Sequence, residues 1–96
     1  MPSSTRVDRL CLAVIRLLRE ERERQGLSGK ALAAKAGLNQ STMSLMDRGL
    51  RHPTLDTLWR LAEALGVAAG EILLQAEREV AGERPDRTAG RVKLKR

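Results

Sequence analysis

Hydrophobic residues recur at the spacing of an α-helix in five separate segments of the chain. Predicted helices cover residues 7–25, 29–36, 40–48, 55–65 and 69–80. The apolar positions of the fourth helix follow the 3.6-residue period: Leu55, Leu58, Leu61, Ala62 and Leu65. Aromatic residues make up only 1% of the chain, and a core of aliphatic residues and Met favours helices over strands. Because 96 residues suffice for one compact domain, we predict an all-α fold, a compact five-helix bundle.

Capping residues mark the ends of these predicted helices. Ser28, Asn39 and Thr54 each stand one position before a helix, where a side-chain oxygen accepts a hydrogen bond from the first turn. Glycine follows four of the helices: Gly26, Gly37, Gly49 and Gly66. Glycine is favoured where a chain leaves a helix in the left-handed conformation.

The second and third predicted helices are short and are joined by a tight turn at Gly37. Small residues at Ala33 and Ala36 allow the two helices to cross steeply. Met43 and Met46 lie three residues apart and are expected to point into the core. The other face of the third helix carries Gln40, Ser41, Ser44 and Leu45. This arrangement predicts a helix-turn-helix, although an ordinary helical hairpin in a bundle would show a similar pattern.

A short helix with a polar N-terminal end fits the major groove of duplex DNA. Gln40 can offer its amide to adenine in a bidentate pair, and Ser41 and Ser44 can bond base edges or phosphates. Leu45 can contact the methyl group of thymine. The alternative is that these side chains are simply solvated.

Positive charge is concentrated in two parts of the chain, whose formal net charge is +6. Residues 82–96 hold six basic and two acidic residues. We interpret residues 1–6 as a flexible N-terminus, 7–81 as the folded domain and 82–96 as a disordered basic tail. Such a tail adds sequence-independent attraction to phosphates, unless it is merely solubilising.

The second cationic stretch lies in the middle of the chain. It contains Lys30, Lys35, Arg48 and Arg51 with one acidic residue, Asp47. A cationic segment between mixed or acidic flanks suits a polyanionic partner, and an ordinary solvated surface is the alternative.

The remaining reactive residues form no catalytic or metal-binding arrangement in the sequence. Cys11 is the only cysteine, so no intrachain disulfide is possible, and we expect a buried small hydrophobe. His52 lacks Cys, Asp or Glu at ligand spacing, so we predict no metal and no cofactor. No nucleophile–base pair or phosphate-binding glycine loop is present, which predicts a protein that is not an enzyme. The absence of a signal peptide or a long apolar run predicts a cytoplasmic protein without a membrane segment.

The ordered set of these motifs resembles the phage repressor/Cro-type helix-turn-helix family, also called XRE-like. The matching elements are Ile15-Arg-Leu-Leu-Arg-Glu20, Gly26-Leu27-Ser28, Leu32-Ala33, Ala36-Gly37-Leu38, Ser41-Thr42-Met43-Ser44, Met46-Asp47-Arg48-Gly49, Pro53-Thr54-Leu55-Asp56-Thr57-Leu58 and Leu61-Ala62-Glu63-Ala64-Leu65-Gly66-Val67. The resemblance extends over residues 15–74. It implies a lambda-repressor-like domain that binds double-stranded DNA and regulates transcription.

The resemblance also implies roles for individual positions. Residues 40–48 become the recognition helix, with base-reading or groove-facing positions at Gln40, Ser41, Ser44 and Leu45. At the start of the second helix the family usually has a phosphate-gripping glutamine, which is Gly29 here. Backbone amides and Lys30 are the expected substitutes. The predicted phosphate-binding residues are Gly29, Lys30, Thr42, Arg48, Arg51 and His52. Arg22 and Asp47 match a pair that bridges the first and third helices in several family members. We predict a partly buried ion pair there, and two surface charges that never meet are the alternative.

Because the family recognises two-fold symmetric operators, the resemblance further implies a homodimer on a palindromic site. We expect its contacts on the fifth helix, at Ile72, Leu73, Ala76 and Val80. The N-terminal half of the first helix is a second candidate surface, and Trp59 either completes the core or joins a dimer contact. The predicted function is a sequence-specific transcriptional regulator that acts as a repressor. The alternative is an antitoxin or adaptor that binds a partner protein and autoregulates its operon.

Overall fold

The computed structural model describes residues 5–82, which fold into five α-helices. These are α1 (Arg6–Arg24), α2 (Gly29–Ala36), α3 (Gln40–Asp47), α4 (Leu55–Leu65) and α5 (Ala69–Gly82). No strand occurs within residues 5–82, and the predicted all-α fold is confirmed. Except for Gly82, the basic tail predicted for residues 82–96 lies outside the described residues.

The helix N-termini form where the sequence predicted them, with one exception at α1. Ser28, Asn39 and Thr54 each accept a hydrogen bond from the backbone N–H three residues later, at 3.0, 2.9 and 3.0 Å. Thr5 forms a capping box with Asp8, which satisfies two backbone N–H groups of the first turn. Helix α1 therefore begins at Arg6, one residue before its predicted start.

The turn between α2 and α3 depends on the conformational freedom of Gly37. Its φ of 75° lies in the left-handed region, which residues other than glycine rarely adopt. The N–H of Leu38 then bonds back to the carbonyl of Ala33 at 2.9 Å, and the Leu38 side chain packs against the core. This closed turn fixes where α3 starts relative to α2.

The core is built from aliphatic side chains and two methionines. Its buried members come from all five helices: Val14, Ile15, Leu18, Leu32, Ala33, Ala36, Met43, Met46, Leu58, Leu61, Ala62, Leu65, Ala76 and Val80. The inward direction predicted for Met43 and Met46 is confirmed. Leu55 contradicts the predicted apolar face, because it is the first residue of α4 and lies 77% exposed beyond the edge of the core.

Helix α5 packs along α1, and this contact overturns part of the predicted dimer surface. Ala76 is 0% exposed and Val80 is 5% exposed, so both side chains are used inside the chain's own core. Ile72 and Leu73 are half-buried and pack against the same core. An ion pair between Arg16 and Glu79 ties the two helices together at the surface.

Candidate nucleic-acid interface

Helix α3 presents a polar face to solvent at its N-terminal end. Gln40, Ser41 and Ser44 are exposed, and Leu45 is half-buried beside them. Within residues 5–82 the side chains of Gln40, Ser41 and Ser44 make no hydrogen bond, so their polar atoms are available to a ligand. The buried Met43 and Met46 anchor the opposite face. The helix is thus held by its apolar side while its polar side stays open.

The helix-turn-helix segment and the loop after it carry four cations. Lys30, Lys35, Arg48 and Arg51 are all exposed. None of the four forms a salt bridge with any residue from 5 to 82. Because unpaired cations raise the local potential, this segment favours polyanions.

The start of α2 lies beside the C-terminal end of α3, near Asp47. Ser28 caps the helix, and the positive end of the α2 dipole lies at Gly29 and Lys30. A side chain added at Gly29 would find its Cβ 3.8 Å from Asp47 Oδ2, an ordinary contact distance. Glycine is therefore not required there for steric reasons.

Asp47, the last residue of α3, is held by two arginines of α1. Its Oδ2 lies 3.9 Å from Arg22 Nη2, as the sequence predicted for this pair. Arg19 was missed: its Nε lies 3.9 Å from Asp47 Oδ1, and its Nη2 donates to the Asp47 carbonyl at 2.9 Å. Arg22 also donates to the carbonyl of Leu27 at 3.0 Å. The spacing of Arg19 and Arg22, three residues apart on one helix face, is the signal that could have revealed the third partner.

The loop after α3 is tethered to the first turn of α1. His52 Nε2 lies 3.1 Å from Asp8 Oδ1, and the other Asp8 oxygen accepts the N–H of Thr5. His52, one of the predicted phosphate-binding residues, thus contacts a carboxylate of its own chain. Sequence reasoning missed the pair because its partners are separated by 44 positions and share no motif.

Comparison with known proteins identifies the family of this chain. A family model described as helix-turn-helix matches residues 18–72, more than half of the chain. The chain belongs to the helix-turn-helix family. The predicted resemblance is confirmed, and the protein is a DNA-binding transcriptional regulator of this family. Because the family consists of such regulators, the prediction that the chain is not an enzyme also holds.

Two curated relatives carry the same description. An uncharacterized HTH-type transcriptional regulator of Sinorhizobium fredii is 36% identical over 63 residues, which is 66% of this chain and 82% of that protein. An uncharacterized HTH-type transcriptional regulator of Mycobacterium tuberculosis is 36% identical over 59 residues. That match covers 62% of this chain but 42% of the mycobacterial protein.

Solved structures of this helix-turn-helix type share the fold. The clp gene regulator ClgR from Corynebacterium glutamicum has a TM-score of 0.69 at 23% identity, with 95% of this chain and 93% of that chain covered. A hypothetical transcription factor from Neisseria has a TM-score of 0.65 at 26% identity, with 88% of this chain and 96% of that chain covered.

Within residues 5–82, none of the five helices has the length and apolar character that crossing a bilayer requires.

Proposed function

We propose that this protein is a sequence-specific repressor that inserts the N-terminal half of α3 into the major groove of a palindromic operator. The observation that supports the proposal is the open polar face of α3 in a helix-turn-helix whose four exposed cations form no ion pair with any residue from 5 to 82. The major groove is wide enough to admit an α-helix. The protein bound to an operator next to a promoter would block transcription.

Base reading is assigned to the exposed side chains of α3. Gln40 donates and accepts through its amide, which matches the N6 and N7 atoms of adenine. Ser41 and Ser44 bond base edges or nearby phosphates. Leu45 is half-buried and contributes an apolar contact at the edge of the groove.

Phosphate binding is assigned to the residues around α3. Lys30 and the N-terminal amides of α2 at Gly29 hold one strand. Arg48 and Arg51 hold the backbone on the other side of the groove, and Thr42 lies on α3 between the two strands. His52 is left out of this set because its imidazole contacts Asp8.

Selection of bound fragments from random duplex DNA tests the proposal directly. An enriched palindrome is expected, and Gln40→Ala should relax the preference at one position of each half-site, at a cost of about 1–3 kcal/mol per half-site. Gln75→Ala is the matched control, because Gln75 is an exposed glutamine on α5. Failure to enrich any sequence would refute sequence-specific binding. A reporter gene downstream of the selected site then separates repression from activation.

A further inference from the structure

The loop between α3 and α4, residues 48–54, has few contacts that fix its middle. At its start, the N–H groups of Gly49 and Leu50 bond back to carbonyls of α3, each at 2.9 Å. Of the next three residues, His52 alone forms a hydrogen bond or an ion pair within residues 5–82. The position of Arg51, its neighbour in this loop, therefore depends in part on what holds His52.

The partner of His52 is a carboxylate whose orientation is set by the cap of α1. Asp8 Oδ1 lies 3.1 Å from His52 Nε2, and Asp8 Oδ2 accepts the N–H of Thr5. The N–H of Asp8 in turn donates to Thr5 Oγ1 at 3.0 Å. Since an ionised carboxylate has only acceptors, His52 Nε2 carries a proton and donates a hydrogen bond from the neutral ring as well as from the charged ring. The contact thus does not require a charged imidazole.

The same side of α1 contacts the loop at a second point. Leu12 follows Asp8 by four residues and therefore lies on the same side of the helix. A Cβ built at Gly49 would lie 3.3 Å from Leu12 Cδ2, so the loop backbone approaches α1 more closely than a side chain there would normally permit. The φ of Gly49, 74°, also lies in the left-handed region. One apolar and one polar contact thus join the loop to the first turns of α1.

We propose that Asp8 is a positioning residue for DNA binding, which holds Arg51 in place through His52. Arg51 is exposed and forms no ion pair with any residue from 5 to 82. A cation on a loop that is already held in its bound position loses less conformational freedom when it meets a phosphate. The proposal rests on the proposed function, in which Arg51 binds the DNA backbone. It gives an acidic residue a favourable role in DNA binding, although negative charge alone repels a polyanion.

The sign of one substitution separates positioning from repulsion. Asp8→Ala removes the acceptor of His52, so affinity for duplex DNA should fall about threefold, which is within the range that one exposed ion pair supplies. Repulsion alone predicts tighter binding by this variant, and an unchanged or higher affinity would overturn the proposal. Asp8→Asn keeps an acceptor oxygen without the charge and should restore part of the lost affinity. Filter binding at low salt measures these affinities on a duplex of random sequence, because phosphate contacts do not depend on sequence.

Thr5→Ala is the matched control for the cap of α1. It removes the other half of the capping box and leaves the Asp8 carboxylate in place. This variant should unfold at a lower urea concentration and bind DNA as tightly as the unmodified chain. If Thr5→Ala binds as weakly as Asp8→Ala, the effect belongs to the stability of α1 and the proposal is overturned.

Double variants test whether Asp8 acts through His52 on Arg51. His52→Ala should lower affinity about threefold, and its combination with Asp8→Ala should bind no more weakly than either single variant, whereas independent effects would multiply to about ninefold and overturn the proposal. In an Arg51→Gln background, Asp8→Ala should have no effect, and a full threefold loss there would likewise overturn it. Absence of duplex binding by the unmodified chain would refute the proposed function, whereas equal binding by all variants would refute only the role of Asp8.

Discussion

Two regions of the molecule differ in whether their cations are paired with carboxylates. On α1 and α4, Arg16, Arg24 and Arg60 each pair with a carboxylate of the same or a neighbouring helix. Around α3, the four exposed cations have no such partner among residues 5–82. The total charge of +6 therefore says less than the location of its unpaired cations, because a cation without a neighbouring carboxylate contributes most to the potential that a ligand meets nearby.

Asp47 lies at the end of α3 and contacts two arginines of α1. Its replacement should have the largest effect, which is a loss of folding stability. Asp47→Asn leaves Arg19 and Arg22 facing a neutral amide. The side chain is 32% exposed, so the expected loss of stability lies between the buried and surface limits, at about 1–3 kcal/mol. Urea unfolding measures it. Asp56→Asn, which breaks an exposed pair with Arg60, is the control and should cost under about 1 kcal/mol. Equal losses in the two variants would contradict a special role for Asp47.

Removing an unpaired cation should weaken DNA binding, whereas removing a paired one should not. For Arg51→Gln we expect roughly a tenfold loss of affinity at 0.1 M salt, and a slope of log affinity against log salt that is shallower by about 0.9. Arg24→Gln, whose guanidinium contacts Glu21, should change neither quantity. Filter binding over a salt series measures both. Identical slopes for Arg51→Gln and the unmodified chain would remove Arg51 from the interface.

A substitution at Gly29 should increase the affinity of the protein for DNA. Gly29→Gln supplies the amide that the family usually has at this position, so affinity for a selected operator should rise several-fold. Gly29→Ala separates this contact from helix propensity, because it should stabilise the fold by up to about 1 kcal/mol without adding a hydrogen-bonding side chain. If both variants bind DNA equally well, the amide makes no contact.

The smallest expected effect concerns Cys11, which lies on α1 within the paired region. Partial burial, and secondarily the Asp8 carboxylate, raise the pKa of the Cys11 thiol. A raised pKa leaves less thiolate at pH 8, so alkylation by iodoacetamide should be slower than for an unstructured cysteine peptide. Asp8→Asn should accelerate it slightly. Alkylation at the rate of the free peptide would contradict this environment.

Local signals allowed the helices of this fold to be predicted from sequence, because caps and helix-ending glycines act within a few residues. Ser28, Asn39 and Thr54 form the expected caps for this reason. The exposed position of Leu55 could not be predicted, because its apolar spacing is the same as that of the buried Leu58. Only the packing of the other helices decides which leucines the core reaches.

The candidate site was predictable to the extent that it is local or typical of the family. The polar face of α3 and the Arg22–Asp47 pair follow from spacing and resemblance. The contact of His52 with Asp8 depends on how the loop after α3 packs against α1. No sequence motif predicts it. The burial of Ala76 and Val80 likewise depends on the position of α5 along α1, which an apolar stripe alone does not determine.

The hydrogen bond from Arg19 to the carbonyl of Asp47 has an electrostatic consequence at the far end of α3. A helix carries partial negative charge at its C-terminus and partial positive charge at its N-terminus. The Arg19 guanidinium compensates the negative pole, whereas the positive pole at Gln40 faces outward. The helix then acts as an oriented dipole whose outer end already favours an anion before any side chain makes contact.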